Sequence, residues 1–288
     1  MTTLVLSYEG RLKEAHKILE RMKIKQLMSY NAEENKRLIQ RSRMLGTTYK
    51  RCFFENKKLS LVLDLDHTLI HSVRICDVSK DDQDYLDKKA IVVSSMQDDN
   101  CRNGDILYKY MGAIYVKLRP YTRESLKQLS DRFELFLYTM GTRFYAEVMG
   151  KLLDPDGVIF NSIVSKDDST IKNRKNMDIL AGPDEKNTII IDDNKYVWEE
   201  HQNNLIQIDK YTYFTEENGG HKLKKDDQEG FGDEDEALKS ISEVLQGVHK
   251  SFFELFPIPQ TDLELQEYVD TVDVRPVLKA SRKGAGNC

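Results

Sequence analysis

Long apolar runs are missing from this chain. Nothing in its 288 residues approaches the roughly 18 uncharged apolar residues that a spanning helix needs, so no membrane span is expected. The opening Met1-Thr-Thr-Leu-Val-Leu-Ser-Tyr-Glu9 has no basic region ahead of its short apolar stretch and no small-residue cleavage site, which argues against a secretory signal. Cysteine is sparse. Cys52, Cys76, Cys101 and Cys288 are scattered and form no Cys-x-x-Cys pair, so neither a zinc site nor a disulfide framework is suggested, and a reducing compartment fits. Internal repeats and extended low-complexity segments are absent as well.

What is present suits a folded α/β protein. A hydrophobic content of 40% is enough for a core, and the length accommodates one substantial domain with appendages. The net charge of −5 hides an asymmetry: residues 1–58 carry 14 Lys+Arg against 6 Asp+Glu, which leaves the remainder at −13. In that basic stretch Leu12, Ala15, Ile18, Leu19 and Met22 recur at helical spacing, so it reads as an amphipathic helix whose charges fill the solvated faces.

The most informative run is Leu61-Val-Leu-Asp64-Leu-Asp66-His-Thr68-Leu-Ile70. It reads as a buried strand ending in two carboxylates one residue apart. Strand side chains alternate, so Asp64 and Asp66 are expected on one side, at the carboxyl end where open α/β sheets place their chemistry. One carboxylate can attack phosphorus while a protonated neighbour delivers a proton to the leaving oxygen. Taken alone, the pattern also fits a strand followed by an acidic turn. Further along come Ile114-Tyr-Val-Lys-Leu-Arg-Pro120, Leu135-Phe-Leu-Tyr-Thr139-Met-Gly-Thr-Arg143, Lys175, and Ile189-Ile-Ile-Asp192-Asp193-Asn194. On residue chemistry alone Thr139 reads first as a helix cap, Asp192-Asp193 as a strand-to-helix turn capped by Asn194, and Lys175 cannot be told from Lys172 or Arg174 beside it.

This ordered set resembles the haloacid dehalogenase superfamily of aspartate-based phosphotransferases. Within it, the segments around Asp64, Lys117 and Thr139 look most like the TFIIF-interacting phosphatases that act on the carboxy-terminal domain (CTD) of RNA polymerase II. The resemblance runs from about Leu59 to Trp198. It implies that Asp64 is the nucleophile, that Asp66 is acid and then base, and that Thr68 orients Asp66. It places Thr139, Lys175, Arg119 and Lys166 at the phosphate. Carboxylates at two strand ends, Asp64 and Asp192, make the hard oxygen environment that Mg²⁺ prefers. The resemblance adds the Asp66 backbone carbonyl to that ligand set, and Asp193 through a coordinated water. One position departs from the pattern: the family usually has Ser-Arg-Asp-Asp or Ser-Arg-Asp-Glu where this chain has Ser165-Lys166-Asp167-Asp168, which keeps a charge but loses bidentate geometry.

The fold class expected is a Rossmann-like parallel sheet of the haloacid dehalogenase type, with an insertion after the first strand and helical appendages. Strands are expected at 60–65, 114–118, 134–138, 158–164, 188–192 and 205–208, and helices near 122–131, 142–153, 173–181 and 195–203. The chain divides into a basic helical segment (1–58), a catalytic phosphatase domain (59–215) with an acidic insertion (74–112), an acidic and polar loop (216–236), and a carboxy-terminal helix and tail (237–288). Leu238, Ile241, Val244, Leu245, Val248, Phe252 and Phe256 mark that helix.

The function expected is a Mg²⁺-dependent serine/threonine phosphatase, nuclear, with the phosphorylated CTD as substrate, TFIIF as a partner implied by the resemblance, and no direct nucleic-acid contact. A small-metabolite phosphatase of the same fold is one alternative. A non-catalytic binding module is the other, and the intact Asp64, Asp66, Lys175 and Asp192 weigh against it. Asp270-Thr-Val-Asp273-Val-Arg275-Pro resembles the lead into a phosphopeptide-binding BRCT domain, and no such domain is expected before Cys288.

Overall fold

A computed structural model describes residues 50–94, 107–169, 171–180, 182–217, 220–223 and 235–285. The amphipathic helix expected between Leu12 and Met22 lies outside these residues, as do 95–106 of the acidic insertion and 224–234 of the polar loop.

Near-continuous apolar runs become the strands of a parallel sheet, because strands covered on both faces have no polar side to show. These are β1 (Leu59–Leu63), β6 (Phe133–Tyr138), β7 (Phe160–Val164), β8 (Thr188–Asp192) and β9 (Leu205–Gln207), in the order β7-β6-β1-β8-β9, all parallel. Strand β1 is central. Its partners Leu61↔Leu135 and Leu61↔Ile189 set a register in which alternate residues feed two different cores. Leu61, Leu63, Leu135, Leu137, Ile189 and Ile191 join the larger core, whereas Val62, Phe136, Tyr138 and Ile190 face Phe53 and Trp198 on the other side. Each such side chain fully removed from water contributes about 1.5–3 kcal/mol.

The acidic insertion adds two strands to a second sheet whose other two flank it, so the strand expected at 114–118 lies there and not in the parallel sheet. Strands β2 (Ile70–Arg74), β3 (Ile91–Val93), β4 (Leu107–Tyr110) and β5 (Ile114–Leu118) lie in the order β2-β5-β4-β3, with β3 and β4 parallel and the other pairs antiparallel. Helix α1 (Lys80–Lys89) begins at Ser79, whose hydroxyl accepts the Asp82 N–H. Val73, Leu86, Leu107 and Tyr115 pack there against Tyr211, Tyr213 and Phe214. A hairpin of β10 (Phe214–Glu217) and β11 (Gly220–Leu223) follows the large sheet.

Helices α2 (Thr122–Ser130) and α3 (Arg143–Leu153) form where expected. The apolar stripe beginning at Leu238 becomes α4 (Ala237–Leu255), with Leu238, Leu245, Val248 and Phe252 buried in the larger core beside Phe54. Helices α5 (Asp262–Thr271) and α6 (Arg275–Ala285) add Leu265, Val269 and Leu278 to the same core. No described helix is long and apolar enough to cross a membrane.

Two expected helices are corrected. Of the helix expected at 173–181, the described residues 173–180 hold only a short 3-10 turn, Met177–Ile179, and Asn173, at its expected start, takes a left-handed φ of +60°. Residues 195–203 form a 3-10 segment, Lys195–His201, interrupted at the non-helical Trp198. Tertiary contacts join the two segments and outweigh their helical preference: the Lys175 N–H donates to the Val197 carbonyl at 2.8 Å, Arg174 pairs with Glu199, and Asn176 meets Glu200 and His201.

Candidate active site

Strands β1, β6 and β8 run in the same direction, so the residues at their ends, Asp64, Thr139 and Asp192, gather at one edge of the sheet. The Asp64 N–H extends the β1–β8 ladder by donating to the Ile191 carbonyl at 2.9 Å, which fixes Asp64 beside Asp192. The chain then turns tightly: the Leu65 carbonyl accepts N–H groups from Thr68, Leu69 and Ile70, and His67 is held at φ +63°. That turn swings Thr68 back over Asp64.

Lys175 bridges the two strand ends. Its ammonium donates to Asp64 Oδ1 at 2.5 Å and to Asp192 Oδ2 at 2.7 Å. The rings of Tyr138 and Trp198 lie 5.5 and 5.8 Å from the same nitrogen. Of the three cations that sequence chemistry left open, Lys175 is the one buried here; Lys172 and Arg174 are exposed. The second oxygen of Asp64 accepts the Thr68 hydroxyl at 2.9 Å, and that hydroxyl oxygen accepts the Asp193 N–H at 3.2 Å. Asp192 is fixed from its own side by Trp198 Nε1 at 2.8 Å and by the Asn194 N–H at 2.8 Å. The geometry therefore corrects the role expected of Thr68: it orients Asp64, not Asp66.

Asp66 is oriented by other groups. Its Oδ1 accepts the Tyr145 hydroxyl at 2.5 Å and its Oδ2 the Thr139 hydroxyl at 3.1 Å. Thr139 in turn accepts the Gly141 N–H at 2.9 Å. Gly141 leaves room for the tyrosine ring, since a Cβ there would lie 2.5 Å from Tyr145 Cδ1. Tyr145 also meets Ser72 Oγ at 2.7 Å, so a residue of the second sheet reaches the surroundings of Asp66.

Electrostatically the site is short of positive charge. Burial pushes the Asp64 carboxyl up to about 7; Lys175 opposes that rise, and Asp192 and Asp66 add to it. Asp193 is raised as well, by burial and then by Asp192. Burial works against the Lys175 ammonium, but Asp64 and Asp192 outweigh it and hold the lysine charged. Burial and the nearby Asp66 raise Tyr145, which keeps its hydroxyl a donor. Carboxylate oxygens of Asp64, Asp192 and Asp193 lie within 4.8 Å of one another, a hard oxygen set that fits a small divalent cation. The Asp66 carboxylate is not one of that cluster.

The two other residues expected at the phosphate are Arg119 and Lys166. Arg119 is fully buried, and its guanidinium is closed on Asp235 at 2.8 and 2.9 Å. Lys166 is exposed, and its backbone N–H, not its ammonium, is engaged with the Gly141 carbonyl. Beside it Arg143 pairs with Asp168, which also closes a capping box on Ser165. Sequence reasoning missed Tyr145, Trp198 and Asp235. Nothing local separates the first two from ordinary core aromatics, and Asp235 sits in an acidic run that reads as solvated surface.

Comparison with known proteins bears on this geometry. The family model described as NLI interacting factor-like phosphatase matches residues 59–253. The chain is 35% identical over 237 residues to RNA polymerase II C-terminal domain phosphatase-like 4 of Arabidopsis thaliana, covering 79% of this chain and 50% of that protein. It is 33% identical over 260 residues to the C-terminal domain phosphatase-like 3 of the same plant, covering 85% of this chain and 19% of the relative. An RNA polymerase II C-terminal domain phosphatase of Schizosaccharomyces pombe is 33% identical over 174 residues, 60% of this chain and 24% of that one. The chain thus spans half or less of the length of these relatives. In fold it resembles Fcp1, described as an essential RNA polymerase II CTD phosphatase, with a TM-score of 0.59 and 22% identity over 81% of this chain and 73% of that one.

Proposed function

Because this chain belongs to the NLI interacting factor-like phosphatase family, we propose that it is a Mg²⁺-dependent protein serine/threonine phosphatase acting on phosphoserine in the CTD of RNA polymerase II. The observation that carries the reading is the convergence of Asp64, Asp192 and Asp193 around Lys175, with Asp66 held separately by two hydroxyls. A binding module would have no use for two carboxylates kept in different states of engagement. Nuclear location and contact with TFIIF follow from the same reading.

In the first step an Asp64 oxygen bonds to phosphorus, the bond to the seryl oxygen breaks, and the departing electron pair takes a proton from Asp66. The product is an acyl phosphate on Asp64 and a free serine hydroxyl. In the second step Asp66 takes a proton from water, whose oxygen displaces the Asp64 carboxylate and releases inorganic phosphate. Phosphoryl transfer mostly demands positioning and charge neutralisation. Lys175 supplies a fixed positive charge beside the nucleophile, and Thr139, whose hydroxyl here donates to Asp66, would have to turn that hydroxyl to reach a phosphate oxygen. Mg²⁺ held by Asp64, Asp192 and Asp193 would neutralise the phosphoryl oxygens that otherwise repel an anionic nucleophile.

The test is a ranking of substrates. With Mg²⁺, kcat/KM for a phosphoserine CTD peptide should exceed that for free phosphoserine and for sugar phosphates by about tenfold or more. The reverse ranking would make the second sheet part of a metabolite site and overturn the proposed substrate.

A further inference from the structure

Three consecutive carbonyls of the turn after β1 are tied down from outside it. The His67 carbonyl accepts the Tyr211 N–H at 2.8 Å, and the Leu69 carbonyl accepts the Arg119 N–H at 2.9 Å. Between them the Thr68 carbonyl accepts Arg119 Nη1 at 3.2 Å. A non-glycine residue at φ +63° is a strained conformation, and it persists only where surrounding contacts over-determine it. Arg119 supplies two of those contacts, one from its backbone and one from its side chain.

The guanidinium is itself fixed. It has no exposed surface, and a buried charge persists only when it is paired and hydrogen-bonded. Nε donates to Asp235 Oδ1 and Nη2 to Asp235 Oδ2, a closed fork, while the Tyr211 ring lies 5.4 Å from the guanidinium carbon. All three nitrogens are committed. Asp235 stands just ahead of α4, where its Oδ1 also accepts the Ala237 N–H at 3.1 Å.

We infer that Arg119 and Asp235 form a latch that positions the nucleophile, and that Arg119 is a positioning residue and not a phosphate ligand. The contacts run without a break from Asp235 to the Arg119 fork, from Nη1 to the Thr68 carbonyl, and from the Thr68 hydroxyl to Asp64 Oδ2 and the Asp193 N–H. The Asp64 carboxylate and the Asp193 backbone are thereby set from the amino-terminal end of α4, across 116 residues of sequence. The inference rests on the reading of Asp64 as the nucleophile.

A double-variant cycle tests it, with Asp235→Asn, Arg119→Lys and the pair together. Asp235→Asn keeps the shape at a partly exposed site, so it guards against simple unfolding, which circular dichroism melting would report. The latch predicts that each single variant lowers kcat for a phosphoserine peptide by at least about tenfold, with KM and competitive inhibition by inorganic phosphate within about twofold of wild type. The double variant should be no worse than the poorer single one, because either change opens the same latch. A phosphate-binding arginine predicts otherwise: Arg119→Lys would weaken phosphate inhibition about tenfold or more while Asp235→Asn left turnover unchanged, and that result would overturn the latch. If the wild-type protein released no phosphate at all, the phosphatase reading would fall on its own. The latch would then be decided by calorimetric Mg²⁺ affinity, which both single variants must weaken at least about threefold, the double no further; unchanged affinity in either would refute it.

Discussion

Asp66 has both carboxylate oxygens engaged by neutral hydroxyls, and Tyr145 is the closer donor. Replacing Tyr145 by Phe keeps the ring in the recess that Gly141 leaves open and removes only the hydroxyl. The acid would lose half of its orientation. Departure of p-nitrophenolate needs little protonation, whereas a seryl alkoxide needs a proton in the transition state. Tyr145→Phe should therefore slow the single-turnover reaction of a phosphoserine peptide by about tenfold or more, and the burst with p-nitrophenyl phosphate by less than about threefold. Equal losses on both would mean that Tyr145 only supports the fold. Asp64 gives a second prediction, because its carboxyl is raised from 3.8 to about 7 in the folded protein. Over that interval the metal-free native state holds a proton that the unfolded chain releases. Stability from this group is thus present at low pH and lost as pH rises through about 7. A cation binds the ionised form, so Mg²⁺ affinity should fall by up to about tenfold per pH unit below neutrality and level off above it. Calorimetric titrations across that range would check it; an affinity independent of pH would contradict it.

Among the elements, those covered on both faces were the legible ones. The runs that became β1, β6 and β8 are apolar almost throughout, and their order with Thr139, Lys175 and Asp192 carried the resemblance on which the expected site rests. The stripe of α4 was equally readable, since Leu238, Leu245 and Phe252 repeat at helical spacing and all are buried. Elements settled by tertiary contacts were not. The segments around Lys175 and Trp198 look helical in composition, but Asn173 turns left-handed and the Lys175 N–H is spent on Val197 instead of on a helix ladder. This non-helical course accompanies the seating of Lys175 between Asp64 and Asp192. Strand β2 was hidden for a related reason: it mixes buried His71 with half-buried Ser72, and its inward side is defined by Tyr213 and Phe214 from a distant stretch. Arg119 and Asp235 illustrate the limit most clearly. Each looks like an ordinary charge in sequence, and only their pairing gives either a purpose.

At the scale of the whole molecule, the larger core unites the sheet with α4, α5 and α6, so the edge that carries Asp64 and Asp192 and the carboxy-terminal helices share one packing unit. The Arg119–Asp235 contact sits at the junction. A sheet that presents three strand ends at one edge, a turn that carries Thr68 over Asp64, and a tyrosine and threonine that hold Asp66 together suit a two-step transfer through Asp64. That covalent step is the central claim, and it can be read directly. Wild-type protein and the Asp66→Asn variant, which should stall before hydrolysis, would be mixed with p-nitrophenyl phosphate and Mg²⁺, quenched with borohydride, and mapped by mass spectrometry. The account predicts reduction of the acyl phosphate to homoserine at position 64, more in the variant than in wild type, and none in Asp64→Asn. Phosphate release by wild type with residue 64 unmodified, or with the label on another carboxylate, would contradict it.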